Sequence, residues 1–172
     1  MIILGLIGII ILIIVCSIDV ENEKKKHPDD PTIGTHSTQS YQDYASVRYS
    51  FSSHAALREE GYDENNIPFF VLVAYPTVDR RQVLTRVSYF QQYGNLEITS
   101  AMSIRNSTAS LSNYLQTMSA KFPNTSFYVD SERKLFVIVN VVPLYTSEYT
   151  LLNTWYDQTK AFQQIVTNRL DE

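Results

Sequence analysis

The side chains that could do chemistry are few and scattered. His54 is the one histidine between positions 41 and 172, and that stretch holds no cysteine. A nucleophilic serine would need His54 as its base, yet no Gly-x-Ser-x-Gly turn is present to expose one. Asp79, Arg80 and Arg81 could together hold an anion. No glycine-rich cradle adjoins them, so a solvated turn is the favoured reading. Glu59 and Glu60 are adjacent and diverge on a helix, which denies them an acid–base partnership. His27, Asp29, Asp30 and His36 are metal-type ligands, but they lie among prolines and charges that fix no geometry. The residue types predict no catalytic residue, no metal site and no cofactor, and hence a protein that is not an enzyme.

Composition narrows the classes further. The chain has 172 residues, with 14 basic and 18 acidic side chains and a net charge of −4. That balance argues against a nucleic-acid partner. The length allows one ordinary domain with an anchor or tail. A single cysteine excludes an internal disulfide framework. Tyrosines number 12 against one tryptophan. Tyrosine joins a large apolar ring to a polar tip, which suits a contact surface as well as the rim of a core. Tyr149, Trp155 and Tyr156, in the last predicted helix, are the candidate protein-contact residues.

Residues 1–18, MIILGLIGIIILIIVCSI, contain no charged side chain. Eighteen helical residues rise about 27 Å, close to the hydrocarbon core of a bilayer. A cleaved signal peptide would need a basic start and a small-x-small cleavage site, and a lipoprotein would need a small residue before Cys16, where Val15 stands. The segment therefore reads as an uncleaved single-pass anchor whose partner is the lipid bilayer. Lys24, Lys25 and Lys26 follow it, which places the domain on the cytoplasmic side by the positive-inside rule. Residues 19–39 hold Pro28, Pro31 and Gly34 and almost no apolar side chains, so a flexible polar linker is expected before a domain over residues 40–172.

Within the domain, SHAALREE at 53–60 reads as a short helix, with a serine to cap it and Gly61 past its end. Tyr44, Val47, Phe51 and Ala55 recur at helical spacing and extend it backward, unless Tyr49-Ser50-Phe51 is itself a strand. The run FFVLVAY at 69–75 predicts a strand covered on both faces. Residues 83–90 form a second strand, and the alternation from Leu96 to Ile104 a third, half-buried one. Leu111, Leu115, Met118 and Phe122 then share one helical face, capped by Ser107 or Thr108. Strands at 127–129 and 135–142 flank a polar tip at 130–134, and residues 148–170 form the final helix. The expected fold is α+β: an antiparallel sheet of about five strands packed by helices, in the order α-β-β-β-α-β-β-α.

This order resembles that of the YbjN family and the type III secretion chaperone-like domains. The segments that carry it are ALREEGY at 56–62, LEITSAMSI at 96–104, LSNYLQTMSAKFP at 111–123, SFYVDSERKLFVIVNVVPL at 126–144 and the last helix. The resemblance implies a non-enzymatic protein-binding module, with a homodimer among the expected partners, that docks a partner segment on its sheet or helix surface. With the anchor added, it implies a membrane-tethered interaction module. An envelope or extracellular accessory domain held by the same anchor is the alternative.

Overall fold

The computed structural model of the chain describes residues 42–74 and 79–172. The expected anchor at 1–18 and linker at 19–39 lie outside the described residues. Among the described residues no helix is long and apolar enough to cross a membrane.

The domain is α+β, with three helices and one antiparallel sheet of six strands. In chain order they are α1 (Tyr44–Ser52), β1 (Ala56–Tyr62), β2 (Pro68–Ala74), β3 (Val83–Phe90), β4 (Asn95–Ser103), α2 (Ala109–Lys121), β5 (Thr125–Asp130), β6 (Leu135–Pro143) and α3 (Glu148–Thr167). The sheet order is β1-β2-β3-β4-β6-β5.

Two expectations are corrected here. ALREEGY is a strand, β1, and the helix lies just before it, at Tyr44–Ser52. The sheet accordingly has six strands and the order α-β-β-β-β-α-β-β-α. The competing signals are physical. Asp43 caps α1 by accepting the Ser46 N–H at 2.7 Å, and Val47, Ser50 and Phe51 turn one helical face to the core. Ala56–Tyr62 then pairs along β2, with a bulge between Leu57 and Glu59. Pairing with a strongly β-prone neighbour overrides the helix preference of Ala, Leu, Arg and Glu. An Asx turn closes the hairpin: Asp63 Oδ1 accepts from the N–H groups of Asn65 and Ile67, and Asn66 takes φ 60°.

The remaining helices start where side-chain caps demand. Thr108 accepts the Leu111 N–H at 3.1 Å, and Ser147 accepts the Thr150 N–H at 3.2 Å. All three helices pack on one face of the sheet. Val47 and Phe51 of α1 meet Phe70, Leu72, Val87 and Ile98, closed by Trp155 of α3. Leu111 of α2 and Phe162 and Ile165 of α3 meet Met102, Phe136 and Ile138. Each of these fully buried large side chains contributes roughly 1.5–3 kcal/mol through burial.

Candidate functional site

Successive side chains of a strand point to opposite faces, so the residues between the core positions form the face opposite the helices. The pairing registers place them in rows across the sheet. Ala56 pairs with Val73, Val73 with Leu84, Leu84 with Ala101, Ala101 with Val137, and Val137 with Tyr128. That row crosses all six strands with the Tyr128 hydroxyl as its one polar side-chain group. The next row runs Glu59, Val71, Arg86, Thr99, Val139 and Ser126. A third holds Phe69, Ser88, Glu97 and Val141. Tyr128 is 48% exposed and Val141 40%. The Arg86 guanidinium lies 4.1 Å from the Phe69 ring centroid and 3.5 Å from Asp63, so its charge is held at the margin of the apolar surface. The expectation that the FFVLVAY strand is covered on both faces is therefore met on one face only among the described residues. Phe70 and Leu72 are buried under helices, whereas Phe69, Val71 and Val73 are half-buried on the open face.

A second concavity lies on the helix side. α2 and α3 touch where Tyr114 Oη donates to Gln164 Oε1 at 2.9 Å, and burial pushes the Tyr114 phenol up to about 12. A half-open groove of about 370 Å³ lies beside this contact, lined by Met118, Phe122, Phe127, Ile138 and Asn140 among others. Its polar groups are engaged within the fold. Thr125 bonds Asn140 at 2.6 Å, and Gln158 bonds Ser100 and the Ile98 carbonyl.

The residues singled out from the sequence fall in three places. Trp155 is in the core, 2% exposed, so it offers no contact surface; Tyr149, 76% exposed, does. Tyr156 stands on the surface beside His54, with its hydroxyl 2.9 Å from Nδ1 and the rings edge to face. His54 lies in the turn after α1 and not on a helix. Its ring sits against the Tyr156 ring. Asp79 and Arg80 are exposed at the turn before β3, as expected, whereas Arg81 is half-buried and reaches across to the last residues. Arg81 bonds Asp79, the Ser103 carbonyl and the fully buried Asp171. Burial raises the Asp171 carboxyl, but hydrogen bonds from Arg81 and the Arg105 backbone N–H outweigh it and hold it below the usual carboxylate range. This cluster ties the C-terminal residues to the sheet. Arg80, with φ 59°, stands outside it. Among the described residues no three His, Cys, Asp or Glu side chains are grouped to hold a metal ion. His27, Asp29, Asp30 and His36 lie outside the described residues.

The sequence reading named the sheet or helix surface only through the resemblance and did not single out this open face. Its signal was present in two runs, FFVLVAY and LFVIVNVV, which are apolar at both odd and even positions. No family model matches the chain, and no curated protein or solved structure matches it.

Proposed function

We propose that this protein is a membrane-tethered, non-enzymatic interaction module that docks a protein partner on the open face of its sheet. The observation that carries this reading is the row from Ala56 to Tyr128, aliphatic on five strands and aromatic on the sixth. Two strands whose sequences ask for cover on both faces have helices on one. Along the row Ala56 and Tyr128 are exposed, Val73, Leu84 and Ala101 half-buried and Val137 buried, and an apolar sheet face without covering helices suits an interaction site. Five strand intervals of about 4.8 Å and strands of six to nine residues span roughly 24 by 20–30 Å. That is in the range of one side of a standard protein interface. The engagement of His54 with Tyr156 and of Arg81 with Asp79 and Asp171 fits a non-enzymatic role. Residues 1–18 supply the tether in this reading, and Lys24–Lys26 favour the cytoplasmic side.

The test is photocrosslinking from the full chain in its own membranes. A photoreactive residue at Val139, on the open face, should yield protein adducts. The same residue at Gln163, on the helix side, should yield none. Adducts absent at Val139, or equal from both positions, would remove this surface from the function. Sidedness is tested separately with Ser131→Cys in a Cys16→Ser background and an impermeant thiol reagent. Labelling in intact cells would move the partner to the envelope or cell exterior.

A further inference from the structure

The two ends of the sheet differ in chemistry. At one end β1, β3 and β6 finish and β2 and β4 begin. This end carries Tyr62, Tyr93, Tyr145 and Tyr149, exposed by 69, 51, 54 and 76%. Tyr62 closes β1, Tyr93 sits in the short connection between β3 and β4, and Tyr145 and Tyr149 flank the start of α3. Among the described residues, the turns at the other end carry Arg80, Arg105, Arg133, Lys134, Arg169 and Glu172, and none of the exposed large hydrophobic side chains.

The chain enters the domain at the tyrosine end. The Gln42 N–H donates to the Leu144 carbonyl at 3.2 Å, its side-chain amide to the Thr146 carbonyl at 2.6 Å, and its own carbonyl accepts from Tyr89 Oη at 2.9 Å. The 23 residues from position 19 to 41 separate this point from the apolar run at 1–18. The end nearest the tether is thus the end whose side chains prefer the headgroup layer, where an aromatic ring meets acyl chains and a hydroxyl meets water.

We propose that this end of the domain docks on the zwitterionic headgroup layer of a bilayer through Tyr62, Tyr93, Tyr145 and Tyr149. The proposal rests on reading residues 1–18 as an anchor. It sets the strands across the membrane plane and leaves the open sheet face standing sideways, where a neighbouring protein can reach it. Asp63, Glu64 and Glu148 lie at the same end, so an uncharged surface suits it better than an anionic one.

The experiment uses the full chain with Cys16→Ser, reconstituted in phosphatidylcholine vesicles containing a nitroxide-headgroup lipid. A fluorophore is placed on a single cysteine, Gln92→Cys at the tyrosine end or Glu132→Cys at the charged end. Quenching several-fold stronger at position 92 is expected. The triple variant Tyr93→Ser, Tyr145→Ser, Tyr149→Ser should level the two positions, with vesicle flotation and circular dichroism unchanged. Equal quenching at both ends of the parent chain, or a difference that survives the triple variant, overturns the docking and leaves the anchor reading intact. A chain that does not float with the vesicles overturns the anchor, and the docking with it.

Discussion

The indole N–H of Trp155 donates to Thr85 Oγ1 at 3.0 Å, across the interface between the last helix and the middle of the sheet. Thr85 is also 2.8 Å from Ser100 Oγ, and Ser100 meets Gln158, whose amide reaches the Ile98 carbonyl. A closed chain of polar groups thus runs through an apolar core, and no buried side-chain nitrogen or oxygen among the described residues is left without a partner. Such a network fixes the position of α3 on β3 and β4 more narrowly than apolar contact alone.

Thr85→Val keeps the shape of the side chain and strands the Trp155 N–H in the core. A buried donor without a partner costs about 1–3 kcal/mol. Urea unfolding followed by Trp155 fluorescence should show a loss in that range, with Thr85→Ser closer to the parent. A loss below about 0.5 kcal/mol would mean that the indole finds another acceptor.

The two faces of the sheet should respond differently to the same kind of change. Phe162 packs edge to face on Phe136, with ring centroids 5.4 Å apart and planes at 89°. Phe162→Ala should cost about 3–5 kcal/mol through lost burial and a cavity. Leu84→Gln, on the open face, should cost less than about 1 kcal/mol while lowering photocrosslinking from Val139. Comparable destabilisation by both would show that the open face is packed in the isolated chain.

Much of this was legible in the sequence, and the exceptions have physical causes. Period-two alternation located β4, and helical spacing with Thr108 as cap located α2. Trp155 misled as a contact candidate because residue type suggests interfaces, whereas its position decides burial. It falls on the stripe Leu151, Trp155, Gln158, Phe162 and Ile165 that faces the sheet. The open face could not be read as a site without the strand order, since its rows join residues from six separate strands. Arg81 and Asp171 lie 90 residues apart, and no local pattern announces their meeting.

That meeting makes a pH prediction. The folded-state pKa of Asp171 is depressed by Arg81 and the Arg105 N–H despite burial. A depressed carboxylate adds stability that is fully present above its unfolded value of about 3.9 and is lost as pH falls through the folded value. The unfolding midpoint should therefore hold steady from neutral pH to about 5 and fall below about 4. Asp43, lowered by the Ser46 N–H, acts in the same direction. Asp171→Asn should lower the neutral midpoint and flatten the acid limb, whereas Asp157→Asn, on the exposed face of α3, should do neither. An unchanged acid limb in Asp171→Asn would place the acid sensitivity elsewhere.

β1 gives the last prediction, because its state is set by its neighbour. Its sequence carries helix formers and a serine cap signal, yet it is a strand with one hydrogen-bonded partner among the described residues, a bulge at Leu57/Glu59 and exposed Arg58, Glu59 and Glu60. The bulge and the charges suit an edge that must not recruit another strand. β4 is paired on both sides, by β3 and β6. Amide hydrogen exchange should reflect the difference: β4 amides should open only with global unfolding, and β1 amides at least about tenfold faster. A peptide covering residues 51–63 should become helical in trifluoroethanol, showing that pairing with β2 overrides the local preference. If β1 amides are instead protected as well as those of β4, the strand is held by more than β2. The edge would then be covered in the intact chain, and strand addition along β1 would be closed to a partner.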